Sequence, residues 1–92
     1  MRRHAEWMVA LDERILEFLD EFGNHQPAEI AAQLGDLGAG MDYHPKYVGQ
    51  RCRQLTDAGL LLRHGRGVYS ITDDGQAFLA GDLDAGALET PE

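Results

Sequence analysis

The segment from Arg51 to Gly75, RCRQLTDAGLLLRHGRGVYSITDDG, changes from a helical to a strand-like hydrophobic pattern within a few residues. Before Gly59 the apolar residues recur at helical spacing, and a glycine at this position favours the left-handed cap that ends a helix. After it, residues 61–63 and 68–71 alternate as short strands do, and His-Gly-Arg-Gly separates them. This pattern predicts a helix followed directly by a β-hairpin with a glycine-rich tip.

Two helices are predicted in the first part of the chain. The first has Asp12 as its N-cap and ends at Gly23, and its apolar face is formed by Leu11, Ile15, Phe18, Leu19 and Phe22. The second begins at Pro27, because proline suits the first position of a helix, and it ends at Gly35. A glycine-rich loop then continues to His44.

A third helix is predicted at about residues 45–58. A fourth, DDGQAFLAGDL, follows the hairpin with Thr72 as its N-cap and ends at Leu83. The expected class is therefore mainly α with a small β-hairpin, in the order α-α-α-β-β-α. Three helices followed directly by a hairpin are typical of a winged helix-turn-helix. Ninety-two residues suffice for a single domain, 1–92, with its core at about 11–80.

Charge is distributed unevenly along the chain, whose net charge is −8. Residues 1–42 and residues 73–92 each have a balance of −6, whereas residues 43–72 hold five basic side chains and one acidic one. Local positive potential matters more than net charge for binding to DNA. An excess of Asp and Glu with a single lysine is expected of a halophilic protein, since salt screens their repulsion. The alternative is an ordinary acidic protein with a chance basic cluster.

The third predicted helix has an apolar stripe and an opposite face of cations and amides. The stripe consists of Val48, Cys52 and Leu55. At about 100° per residue, the opposite face carries Lys46, Gln50 and Arg53, with Tyr47 and Gln54 beside them. Such side chains hydrogen-bond to base edges in the major groove of DNA, so this helix is the predicted recognition helix.

The hairpin at about residues 61–71 is the predicted wing, and it holds the remaining cations of the basic segment. Contacts with the DNA backbone or the minor groove are expected from Arg63, His64 and Arg66. Arg51 belongs to the same basic segment and is also expected to contact phosphate. Because glycines flank Arg66, the tip of the wing can approach a duplex closely.

Residues Arg14 to Thr72 resemble a winged-helix transcriptional regulator, and the chain is similar to the family of small haloarchaeal regulators related to the repressor of phage phi-H. The matching residues are Tyr47-Val48, Arg51-Cys52-Arg53, Leu55, Ala58-Gly59-Leu60-Leu61 and Gly67-Val68-Tyr69-Ser70-Ile71-Thr72. The opening Trp7-Met8 and Asp12-Glu13-Arg14-Ile15-Leu16 also fit that family. The resemblance implies a sequence-specific regulator of transcription, expected to be an archaeal repressor. Gly49 departs from the family pattern, because a small hydroxyl residue that could contact phosphate often stands there.

The competing function is a winged helix that docks an acidic protein and does not bind DNA directly. An enzyme is not expected, since no nucleophile motif or phosphate-binding loop is present. Cys52 is expected to be a packing residue, and no metal, cofactor or membrane association is predicted. The absence of a long apolar segment or a signal peptide favours a cytoplasmic protein.

A homodimer is expected, because one small winged helix buries too little surface for useful specificity on DNA. Its predicted interface consists of terminal segments whose apolar groups exceed what a small core needs: Trp7, Met8 and Leu79–Leu88.

Overall fold

A computed structural model describes residues 2–38 and 42–87 of the chain. In these residues four helices and two strands occur in the predicted order, which confirms the winged helix-turn-helix architecture. The elements are α1 (Ala10–Phe22), α2 (Pro27–Leu37), α3 (Pro45–Asp57), β1 (Leu61–Arg63), β2 (Tyr69–Ile71) and α4 (Asp73–Ala80). Parts of the predicted loop (39–41), of the predicted C-terminal interface (Leu88) and of the tail (89–92) lie outside the described residues.

The hydrophobic core is centred on α1, which packs against α3, α4 and β2. Four of the five residues predicted to form its apolar face are buried, namely Leu11, Ile15, Phe18 and Leu19. Phe22 was predicted to face inward as well, but it is 55% exposed, because it is the last residue of the helix and lies beyond the elements that cover the others. Leu37, the last residue of α2, is likewise exposed.

The hairpin is antiparallel, with Leu61 opposite Ile71 and Arg63 opposite Tyr69. A third segment joins it, since His25 and Tyr69 exchange backbone hydrogen bonds of 3.2 and 2.9 Å. The connection between α1 and α2 therefore pairs with the outer side of β2. This pairing is not predictable from the sequence, because a single bridging residue produces no alternating pattern.

Three helix boundaries differ from the predictions. α1 begins at Ala10, and Asp12 lies inside its first turn, where its carboxylate accepts a hydrogen bond from the backbone N–H of Val9 at 3.0 Å. α2 passes through Gly35 and ends two residues later, since Gly38 rather than Gly35 has a positive φ. α4 is shorter than expected and ends at Ala80, because Gly81 adopts the left-handed conformation that closes a helix.

The described terminal segments pack on the domain itself. Ala5 and Ala85 are buried, and the backbone N–H of Ala85 donates to the carbonyl of Arg3 at 2.9 Å. The larger apolar side chains of these segments are half-buried against the core: Trp7, Met8, Leu79 and Leu83. These side chains therefore contribute to the core of their own domain, and part of their apolar surface stays open. No helix among the described residues is both long enough and apolar enough to span a bilayer.

Candidate nucleic-acid interface

The candidate interface begins with α3, whose ends match the prediction to within one residue. Pro45 is its first residue, and the backbone N–H of Lys46 donates to Nδ1 of His44 at 3.1 Å, which satisfies one of the free N–H groups of the first turn. The helix closes at Ala58, and Gly59 follows with a φ of +87°. These local signals determine where α3 starts and stops.

The two faces of α3 are separated as the sequence predicts. The inward stripe of Val48, Cys52 and Leu55 is fully buried. Lys46, Gln50 and Arg53 are exposed, Gln54 is half-buried, and Tyr47 is 38% exposed with its ring centroid 6.2 Å from that of Tyr43. Hydrogen-bond donors and acceptors therefore line the outer face over the length of the helix.

Arg51 is the exception among the predicted site residues. It is buried, its Nε donates to Asp12 Oδ1 at 2.8 Å, and its Nη2 donates to Asp12 Oδ2 at 2.7 Å. Nη2 also donates to the carbonyl of Trp7 at 3.1 Å. The hydrogen bond with Asp12 outweighs the effect of burial and raises the pKa of the Arg51 guanidinium above its ordinary value. Because the charge is already paired, Arg51 joins α1 to α3 and is not available to DNA, which corrects the prediction.

Cys52 and the acidic residues that follow Thr72 have structural roles. Burial raises the pKa of the Cys52 thiol to about 12, so it remains protonated and serves as a packing residue. The hydroxyl of Thr72 accepts the backbone N–H of Gly75 at 3.1 Å, which makes Asp73 and Asp74 the acidic first turn of α4. Among residues 2–38 and 42–87, no group of three potential metal ligands comes together.

The wing carries three of the predicted site residues. Arg63, His64 and Arg66 are all exposed. The His64 ring shares a hydrogen bond of 2.7 Å with the Ser70 hydroxyl, and the His64 backbone N–H donates to the carbonyl of Val68 at 2.7 Å. Arg66 itself is in the left-handed region, with a φ of 66° and a ψ of 20°. A non-glycine residue rarely adopts this conformation, so the backbone at the tip is strained.

The tip of the wing contacts the start of α2. The side-chain amide of Gln26 donates to the carbonyl of Arg66 at 2.8 Å. The next residues, Pro27 and Ala28, line an open cleft together with α3 residues Lys46, Gly49, Gln50 and Arg53. The wing tip, the start of α2 and the outer face of α3 are therefore contiguous. Gln26 could not be predicted as part of this surface, since nothing in its local sequence indicates a partner forty positions away.

The ion pairs divide the cations of the described chain into two groups. Carboxylates lie within 4 Å of three arginines, which are Arg2, Arg14 and Arg51. Within residues 2–38 and 42–87, no carboxylate pairs with the other five cations, which are Arg3, Lys46, Arg53, Arg63 and Arg66. Four of these five lie on α3 or on the wing. The basic charge left uncompensated is thus concentrated on this surface, although the protein as a whole is acidic.

The chain is similar to known repressors over nearly its whole length. The family model for the winged helix-turn-helix phage repressor matches residues 1–91. The repressor protein of Halobacterium phage phiH is 34% identical over 92 residues, which cover 97% of this chain and 98% of that one. The crystal structure of the PhiH1 repressor-like protein from Haloarcula marismortui superimposes with a TM-score of 0.86 at 36% identity, covering 98% of this chain and 97% of the other.

Proposed function

Because the chain belongs to the winged helix-turn-helix phage repressor family, we propose that it represses transcription by binding a specific double-stranded DNA sequence. Membership of this family makes it a regulator of the DNA-binding type and not an enzyme. In the proposal, α3 enters the major groove and the wing contacts the backbone or the minor groove. Because a repressor acts on the DNA of the cell, the proposed location is the cytoplasm. The acidic composition fits the salt-rich cytoplasm of a halophilic archaeon.

One observation carries this proposal: the unpaired cations lie together on α3 and the wing. A duplex presents phosphate charges along both edges of each groove, and neutralising them releases counterions. Lys46 and Arg53 lie on the helix, and Arg63 and Arg66 lie on the hairpin beside it. A surface with this charge attracts DNA even when the net charge of the protein is negative.

The chemistry of the exposed face of α3 suits direct readout of bases. Arginine and lysine donate to the O6 and N7 atoms of guanine, and glutamine bonds to adenine through N6 and N7. Gln50 and Arg53 are the proposed base contacts, and Lys46 is proposed to contact the edge of the groove. Tyr47 and Gln54 flank this face, and we propose that they contact DNA at its border.

The wing suits contact with phosphate or the minor groove. Arg66 sits at the tip between two glycines, so no bulky neighbour hinders its approach to a duplex. His64 is proposed to lie beside it, oriented by its bond to Ser70. A phosphate contact by Arg66 implies that Arg66→Ala lowers affinity about equally for all sequences and reduces the slope of log affinity against log salt by about one.

The proposal is tested by comparing Arg53→Ala with Arg3→Ala, because both remove one exposed and unpaired positive charge. The duplex is one selected by the wild-type protein from a random library, and a scrambled duplex is measured in parallel. We expect Arg53→Ala to cost about 1–3 kcal/mol of binding free energy and to relax specificity at one base pair. Arg3→Ala, in the N-terminal segment that pairs with Asp84, should leave the affinity nearly unchanged.

Two results would contradict these assignments. Equal loss on selected and scrambled duplexes would make Arg53 a phosphate contact and not a base contact. If neither Arg53→Ala nor Arg66→Ala changes DNA affinity, the surface does not bind DNA, and docking of an acidic partner protein becomes the better function for it.

We also propose that the protein binds DNA as a homodimer. Specific interfaces with DNA bury more surface than one such domain offers, and two-fold dimers meet this requirement by occupying paired half-sites. The described terminal residues pack largely on their own core. The case for a dimer thus depends on the size of the domain and the geometry of the duplex.

A further inference from the structure

We propose that Gln26 is a positioning residue, which holds the tip of the wing against the helix-turn-helix so that Arg66 and α3 meet DNA as one rigid surface. This inference rests on the proposed function, since it concerns how Arg66 is presented to a duplex. It assigns a role to a residue that the sequence analysis did not select and that belongs to neither the recognition helix nor the wing.

The contacts of Gln26 support this role. Its backbone N–H donates to Glu29 Oε1 at 2.9 Å, which anchors the residue at the start of α2. Its side-chain amide extends the other way and donates to the carbonyl of Arg66 at 2.8 Å. In the described chain this is the one hydrogen bond that joins the tip of the wing to the helix-turn-helix.

The conformation of the tip explains why such a bond matters. Arg66 adopts positive φ, and Gly67 after it does so too, with a φ of 72°. A strained backbone of this kind persists only where surrounding contacts hold it. Within the hairpin, the bond from His64 N–H to the Val68 carbonyl closes the turn, and Gln26 supplies the contact from outside. Without it, two glycines leave the tip free to sample other conformations.

The residue after Gln26 packs close to the proposed recognition helix, α3. Pro27 follows Gln26 directly, and a Cβ atom placed on Gly49 of α3 would lie 3.8 Å from the Pro27 Cβ atom. The start of α2 and the middle of α3 are therefore in van der Waals reach of one another. The chain of contacts from Arg66 through Gln26 and Pro27 to Gly49 fixes the wing tip relative to the outer face of α3.

The test is a double-mutant cycle with Gln26→Ser, Arg66→Ala and the double variant. Serine is a favourable N-cap residue and leaves the backbone bond from residue 26 to Glu29 in place, so the start of α2 is kept. Its side chain is too short to reach the Arg66 carbonyl. The probe is a fluorescently labelled 30-base-pair duplex of random sequence, because a phosphate contact by Arg66 acts on every sequence. Gln33→Ser, which makes the same substitution at an exposed glutamine inside α2, is the matched control.

We expect Gln26→Ser to weaken binding about fivefold. This is the loss that follows if the wing holds its binding conformation in only about one fifth of the molecules. Arg66→Ala should weaken binding by at least as much, and adding Gln26→Ser to it should cause no further loss. The amides of Gly65 and Gly67 should show increased motion in NMR relaxation for Gln26→Ser alone. The urea midpoint and the affinity of Gln33→Ser should match those of the wild type.

Other outcomes would overturn the inference. The same loss from Gln26→Ser with or without Arg66 would make Gln26 an independent DNA contact, and no loss would show that the wing needs no such support. If Arg66→Ala has no effect while Arg53→Ala weakens binding, the function stands and this inference fails. If neither arginine matters, the proposed function itself fails.

Discussion

At the scale of single residues, Arg51 shows that a cation in a basic segment can belong to the core. Its guanidinium is bonded through two nitrogens to the carboxylate of Asp12, and that carboxylate is fully buried. Burying either charge alone would be costly, because each would lose its hydration without gaining a partner. The pair also connects the first turn of α1 to the middle of α3, so it helps to orient α3 on the core.

Removing one member of this pair should therefore destabilise the fold strongly. We expect Asp12→Ala to lower the free energy of unfolding by about 3–5 kcal/mol, since it leaves a buried and unpaired guanidinium. The double variant Asp12→Leu with Arg51→Met should recover most of that loss. Urea denaturation at constant salt measures both effects.

The matched control for this prediction is Arg14→Ala, which breaks a partly exposed ion pair with Glu17 whose atoms lie 2.7 Å apart. Exposed pairs contribute at most about 1 kcal/mol. A loss for Asp12→Ala as small as that for Arg14→Ala would mean that water reaches the buried pair, and the structural role assigned to Arg51 would be wrong.

At the scale of secondary-structure elements, two helical glycines lie in different environments. Gly49 of α3 faces Pro27, and a Cβ atom added to it would find its nearest neighbours at 3.7 and 3.8 Å, which is ordinary contact. Gly75 lies in the first turn of α4, where an added Cβ would clash with the Leu60 carbonyl and come within 2.6 Å of Ile71 Cγ1. The close approach of α4 to the hairpin therefore requires glycine at position 75, whereas the packing of α2 on α3 does not require it at position 49.

The two alanine substitutions should consequently have opposite effects on stability. Gly49→Ala should stabilise the protein by about 0.5–1 kcal/mol, because alanine loses less conformational entropy in a helix. Gly75→Ala should destabilise it by about 1–3 kcal/mol through overpacking. Urea unfolding curves measure the change in the free energy of unfolding for each variant relative to the wild type. Stabilisation by both would show that α4 can move away from the hairpin without cost.

At the scale of the whole molecule, the distribution of charge reconciles an acidic protein with a DNA-binding role. Carboxylates neutralise three arginines on or near α1, and the acidic surplus lies on that side and on α4. The unpaired cations are left mainly on α3 and the wing. Repulsion among the remaining carboxylates is screened at high salt, but the same salt weakens contacts with phosphate, so specific base contacts must carry more of the affinity there.

At this scale we predict that the protein is a homodimer that binds two half-sites. Sedimentation equilibrium in a high-salt buffer should give twice the mass of one chain at concentrations that saturate DNA. Titration of a selected duplex should require two chains for each site, and the footprint should show two half-sites about one helical turn apart. A monomeric mass above the concentrations needed for binding would rule out a preformed dimer.

Much of the fold could be predicted from the sequence, because the relevant signals are local. Helical and alternating periodicities gave the order of the elements, and Pro45 and Gly59 marked the ends of α3. The same periodicity separated the buried stripe of α3 from Gln50 and Arg53 on its outer face. The errors at the ends of α1 and α2 arose where competing caps, such as Val9 against Asp12, lie only a few residues apart.

The sequence by itself determined the elements, their order and which face of α3 is polar, since each depends on residues a few positions apart. Only the tertiary structure decided that Arg51 pairs with Asp12, that Gln26 holds the Arg66 backbone and that His25 joins the hairpin. These contacts connect positions about forty residues apart. A local pattern carries no information about such partners, because the packing of the helices and the hairpin on one another brings them together.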